Sequence, residues 1–115
     1  MKRVLLVDDE EEILALWKEF VELLGYEALL ARNGIEAAEI LGVEEVDVVV
    51  TDVVMPGLDG LGLATWIKEA YPGVRVIGTS GRVRPWIGHV APFDVFLPKP
   101  VSLERFREVL TEEGT

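Results

Sequence analysis

Acidic, hydroxyl and amino side chains stand at the ends of apolar runs along this chain. Val4 to Val7 stops at Asp8-Asp9, Val46 to Val50 leads to Asp52, the run opening at Val74 leads to Thr79-Ser80, and Val95 to Leu97 precedes Pro98-Lys99-Pro100. Carboxylates crowded together repel one another and raise each other's pKa unless a cation is present. Magnesium suits such a set, because it takes oxygen ligands, keeps waters, and commonly joins one or two carboxylates to a phosphate. Lys99 and Ser80 then offer a positive charge and a hydroxyl donor to phosphoryl oxygens that the metal leaves uncovered.

Singly, each of these residues has a plainer account. An Asp pair after a strand is often a helix N-cap plus first-turn charge, Asp52 and Ser80 suit ordinary turns before Pro56-Gly57 and Gly81, and a lysine between prolines is commonly a solvated loop residue. Those accounts do not predict all of the signals jointly, and that coincidence favours a site.

The elements that must position these groups are legible from periodicity. The runs Val4 to Val7, Val46 to Val50, Val74 to Ile77 and Val95 to Leu97, with Tyr26 to Leu30 as a weaker member, read as five short strands buried on both faces. Between the first two, Ile13, Leu16, Trp17, Phe20 and Leu24 repeat at helical spacing and Gly25 stops the pattern. A second helix follows Asn33-Gly34, with Ile35, Ala38 and Leu41 as its stripe and Gly42 at its end. A third runs from about Leu61 to Ala70, with Leu63, Ala64, Ile67 and Ala70 on one face and Pro72-Gly73 ending it. The last opens at Ser102 as N-cap and carries Leu103, Phe106, Val109 and Leu110. Alternation of this kind specifies a doubly wound α/β fold with a parallel sheet. In such a fold the functional crevice lies beyond the carboxyl ends of the strands, where the chemistry-bearing residues stand. One stretch resists, since Arg82 to Pro92 holds Pro85, Gly88 and Pro92 where a helix is due.

Composition narrows the function classes. At 115 residues and 50% hydrophobic content, one packed domain is expected. A net charge of -10 opposes nucleic acid and anionic lipid. With no cysteine and one histidine, neither a disulfide framework nor a thiolate zinc site is available. Two basic residues and a short run stopped by aspartates do not make a signal peptide, and no apolar run reaches membrane length, so a cytoplasmic protein is expected. Residues 1–70 hold 16 acidic and 5 basic side chains against 5 and 6 in residues 71–115, which makes the second part the expected docking face unless the first simply carries solvated Glu-rich helices.

The chain resembles the receiver domain of two-component response regulators over essentially its whole length, as one domain spanning residues 1–115. Its most specific element is the segment from Asp52 to Gly60, with Met55-Pro56 followed by Asp59-Gly60; Val4 to Glu10 and Leu97-Pro98-Lys99-Pro100 match two further family segments in order. The resemblance implies a flavodoxin-like five-stranded parallel sheet of order 2-1-3-4-5. It implies phosphorylation of Asp52 by a phosphohistidine on a sensor histidine kinase or histidine phosphotransfer domain, and a signalling switch rather than an enzyme. Asp8, Asp9, Asp52 and the backbone carbonyl of Val54 would hold magnesium. Lys99 would contact the phosphoryl group, and Ser80 would follow it; Thr79 is a rival, disfavoured because Gly81 supplies the small residue that usually follows the hydroxyl. Phe96 matches the switch aromatic, a static core phenylalanine being the other account. Arg82 stands where the family tunes phosphoryl lifetime. A downstream protein or output domain would receive the signal.

The chain departs from the family in the short stretch from Ser80 to Lys99, whose prolines should erode the fourth helix. Lone His89 in that stretch reads as structural or solvated, Trp17 as core, and Trp86 as partly exposed near the crevice. Rival readings are a degenerate receiver acting as a phosphorylation-independent interaction module, an aspartate-dependent phosphatase, and a flavin-binding domain. The phosphatase lacks its general acid, because Val54 stands two residues after Asp52. The flavin reading meets Asp8-Asp9-Glu10 where a phosphate loop is needed.

Overall fold

A computed structural model describes residues 2–53, 60–81 and 93–112. Five strands are present: β1 (Arg3–Val7), β2 (Glu27–Ala31), β3 (Val48–Asp52), β4 (Arg75–Ser80) and β5 (Val95–Pro98). They alternate with α1 (Glu11–Leu23), α2 (Gly34–Val43), α3 (Gly60–Ala70) and, after β5, α4 (Leu103–Glu112). The sheet order is β2-β1-β3-β4-β5 and every pairing is parallel, as the family resemblance implies. The stretch Arg82 to Pro92, on which an eroded fourth helix was expected, lies outside the described residues, as do Val54, Arg82, Trp86 and His89.

Strand side chains alternate across the sheet, and this divides the core in two. Val4, Leu6, Val48, Val50, Ile77 and Leu97 face Leu14, Trp17 and Val21 of α1 and Phe106, Val109 and Leu110 of α4. Leu5, Val7, Val49 and Val76 face Ala37 and Leu41 of α2 and Leu63, Ala64 and Ile67 of α3. The continuous apolar runs follow from burial on both faces.

The central strands extend further toward their carboxyl ends than the apolar runs predict. β3 begins at Val48 rather than Val46 and continues through Thr51 and Asp52, because Asp52 pairs with Thr79 on β4. β4 likewise continues to Ser80, which pairs with Pro98. Ladder hydrogen bonding, not side-chain hydrophobicity, sets where these strands stop.

Helix stripes are rotated relative to the sequence reading. In α1, Leu16 is 45% exposed while Leu14 and Val21 are buried; in α2, Ile35 is 63% exposed and Ala37 is buried instead. Ala70 of α3 is also exposed. The punctuation is as read except in α2, which continues through Gly42 to Val43 because the Glu44 amide still donates to the Ile40 carbonyl. Gly25, at φ 91°, ends α1 in a Schellman arrangement, with Gly25 N–H donating to Glu22 and Tyr26 N–H to Val21. Asn33 Oδ1 accepts from the Glu36 amide at 2.9 Å, and Ser102 Oγ from the Arg105 amide at 3.2 Å. α4 has no basic residue in its own last turn, and Arg75 Nη1 of β4 donates to its Val109 carbonyl.

Asp94 extends the β4–β5 ladder with its side chain. Its backbone N–H donates to the Val76 carbonyl at 2.8 Å, while its Oδ2 accepts from the Val76 amide at 2.8 Å and from Lys68 Nζ of α3 at 2.6 Å. Burial pushes the Asp94 carboxyl up, but Lys68 and the Val76 amide outweigh it and hold the group below 3.8. Asp94→Ala should destabilise the protein by about 1 kcal/mol at neutral pH, as hydrogen bonds to a partly exposed carboxylate do. Because the folded-state pKa is depressed, the difference should be complete well above pH 3.8 and fade as pH falls through the carboxylate range. Urea unfolding at pH 7 and pH 3 checks both statements.

Candidate functional site

The parallel register brings four strand ends to one edge. Val7 of β1 lies opposite Thr51 of β3, Asp52 opposite Thr79 of β4, and Ser80 opposite Pro98 of β5. The residue after each end therefore enters the same crevice, which is the geometry expected of an open α/β sheet. Backbone bonds fix the exits: Asp8 N–H donates to Ala31, Val53 N–H to Thr79 and Lys99 N–H to Ser80.

Carboxylate oxygens of Asp8, Asp9 and Asp52 lie within 4.8 Å of one another. Asp8 and Asp52 are buried and Asp9 is exposed. Lys99 Nζ sits between the two buried groups, donating to Asp8 Oδ2 at 2.7 Å and to Asp52 Oδ2 at 3.2 Å. The other oxygen of Asp8 accepts from the Glu10 amide at 2.9 Å. The N-cap position of α1 is Glu10, with no side-chain cap bond, so Asp8 is not that helix's cap.

Burial drives the Asp8 carboxyl above 3.8, against the opposing pull of Lys99 and the Glu10 amide, and the nearby Asp52 charge adds to the rise. Burial alone would lower the Lys99 ammonium, but its hydrogen bond to Asp8 and the charge of Asp52 hold it above 10.5. Among the described residues, Lys99 is the cation bonded to Asp8 and Asp52 within this three-acid cluster, whose all-acid character a hard divalent cation would suit. The donor set is entirely oxygen, as magnesium prefers.

A cleft of about 600 Å³ opens over this cluster, with Asp52, Ser80, Gly81 and Lys99 on one side and Ile13, Leu16 and Trp17 of α1 on the other. Ser80 lines it. Thr79 is fully buried and turns away, its Oγ1 donating to the Thr51 carbonyl at 3.4 Å. The strand alternation thus favours Ser80 over Thr79 as the hydroxyl facing the cleft. Phe96 is half-buried on β5, opposite Gly78, while its neighbour Leu97 fills the core. Of the anticipated site residues, Asp8, Asp9, Asp52, Ser80 and Lys99 come together; Val54 and Arg82 lie outside the described residues.

Two contacts were not foreseen. A Cβ on Gly60 would lie 2.0 Å from the Asp52 carbonyl oxygen, so only glycine lets α3 begin against the backbone of the central aspartate. Gly60 was visible only as the end of the Asp59-Gly60 pair. Trp17, expected as core, also lies under Lys99, with Nζ 5.7 Å from its ring centroid.

The raised Asp8 carboxyl sets a pH dependence. A group whose folded pKa lies above its ordinary value stabilises the fold fully below that value, and the contribution is lost as pH rises through the folded one. In a chelating buffer, Asp8→Asn should therefore gain in melting temperature on wild type as pH rises from about 4 to 7. Thermal melts across that range test the direction.

The protein-family model "Response regulator receiver domain" matches residues 4–111. The sensor kinase CckA of Brucella abortus is 37% identical over 115 residues, which cover 95% of this chain but 12% of that kinase. The polar-differentiation response regulator DivK of Brucella anthropi is 27% identical over 119 residues, covering 95% of this chain and 93% of DivK. Among solved structures, the response regulator TrrA of Thermotoga maritima, in complex with Mg(2+)-BeF, superposes with TM-score 0.90 at 30% identity, covering 98% of this chain and 99% of TrrA. The chemotaxis protein CheY4 of Vibrio cholerae shares the fold at TM-score 0.91 and 24% identity, covering 97% and 98% of the two chains. The family model over residues 4–111, with relatives and structures of the same kind, shows that the chain belongs to the receiver domains of two-component response regulators.

Proposed function

We propose that residues 1–115 act as one phosphoacceptor receiver domain, phosphorylated on Asp52 and switching conformation in response. The observation that carries this reading is the bridge of Lys99 between Asp8 and Asp52 beside Asp9. An Asp52 carboxylate oxygen attacks the phosphorus of a phosphohistidine on a sensor kinase or phosphotransfer domain; the P–O bond forms as the N–P bond breaks, and the histidine nitrogen takes a proton from water. Water attacking the same phosphorus later restores the carboxylate and releases inorganic phosphate. The chain assists both steps on itself and turns over no separate substrate.

Positioning and electrostatics carry such a transfer. Lys99 stabilises charge on the phosphoryl oxygens and the Ser80 hydroxyl donates to one of them. Asp8, Asp9, Asp52 and the Val54 carbonyl would hold magnesium, which supplies charge neutralisation when bound. Arg82 is assigned to phosphoryl lifetime and Phe96 to the switch. The altered contacts of Ser80 bias the chain toward its active conformer, since a ligand shifts only a state that it binds better. A downstream protein or output domain reads the change.

Incubated with magnesium and a small acyl-phosphate donor, the intact chain should gain the mass of one labile phosphoryl group, and Asp52→Asn should gain none. Intact-mass spectrometry checks this. No gain, with a cognate phosphorylated kinase also failing, would point to the degenerate interaction module instead. Magnesium at a hundredfold excess over its dissociation constant should stabilise the wild type by about 2.7 kcal/mol. Asp9→Ala should lose most of that increment in thermal melts, and an equal response in both proteins would place the metal elsewhere.

A further inference from the structure

Lys99 has a third neighbour besides its two carboxylates. Its Nζ lies 5.7 Å from the centroid of the Trp17 ring, inside the roughly 6 Å reach of a cation–π attraction, for which indole is the best side-chain acceptor. Trp17 is 2% exposed, and its ring meets Phe106 of α4 edge-on with centroids 5.7 Å apart. The ring is therefore fixed between α1 and α4 and cannot follow a moving ammonium. Leucine would keep only the apolar character of this core place, whereas indole adds a face of negative potential beneath a charge. Asp8 and Asp52, which hold Lys99 here, are the groups assigned above to a cation and to the phosphoryl group.

We propose that Trp17 is a positioning residue whose ring face keeps the Lys99 ammonium in the cleft while Asp8 and Asp52 exchange it for a cation and a phosphoryl group. The proposal rests on the phosphoacceptor reading of Asp52. Its distinctive content is that Trp17 acts through Lys99, whereas a tryptophan serving only as packing acts on the fold as a whole.

Two measurements test it. In the wild-type protein, without metal or donor, the ring current of Trp17 should move the ε-methylene protons of Lys99 upfield in the NMR spectrum. Trp17→Leu should return them to the ordinary lysine position and Trp17→Phe should return them only in part. With magnesium and an acyl-phosphate donor, Trp17→Leu should slow phosphorylation by about 2- to 30-fold, with Trp17→Phe slowed less. In a Lys99→Met background the same Trp17→Leu change should cause no further slowing. Ordinary methylene shifts in the wild type, or equal slowing in both backgrounds, would overturn the proposal, and the first of these requires no variant to fold. Upfield shifts in a wild type that takes up no phosphate would instead overturn the phosphoacceptor reading and the exchange built on it.

Discussion

Crowding of like charge is the constraint around which this molecule is organised. Three carboxylates share a space under 5 Å across at the carboxyl edge of the sheet, and two of them are buried. In isolation that arrangement is unfavourable. Lys99 makes it tolerable by bridging the buried pair from the opposite side of the sheet order, across β3 and β4. Among the described residues the bridge ties the two buried carboxylates together and leaves exposed Asp9 at the mouth of the cluster.

The rest of the fold serves to hold those ends level. Two cores, one on each face, clamp the sheet so that β1, β3 and β4 cannot slide past one another without moving every side chain to the wrong layer. Side-chain clips reinforce the frame away from the site. Arg3 joins β1 to Glu27 of β2 and to Glu44 after α2, and Asp94 joins β5 to β4 and α3. The acidic edge itself is built from strand exits, just beyond where the ladders stop.

Much of this was legible in the sequence because strand ends are punctuated chemically. An apolar run that stops at an acid, a hydroxyl or a lysine between prolines announces both the strand and what it delivers, so Asp8, Asp9, Asp52, Ser80 and Lys99 could be named before their distances were seen. Helix faces were less legible. Leu16, Ile35 and Ala70 fit an apolar stripe by spacing yet face outward, because the position of neighbouring helices selects which of two adjacent stripes is covered. The start of β3 was less legible than its end, since Val46 and Asp47 belong to the run as read in sequence but the ladder begins only at Val48. The double duty of Trp17 was hidden for a related reason: a tryptophan in a core stripe looks the same whether or not a cation sits on its face.

Gly60 carries a consequence for how such a domain can change. Its N–H donates to the Val53 carbonyl at 3.1 Å, so the six-residue stretch between them is closed at its base beside the central aspartate. Any side chain at position 60 would push the start of α3 off the backbone of Asp52 and Val53, so the seat of the helix and the seat of the central carboxylate are set by one and the same contact.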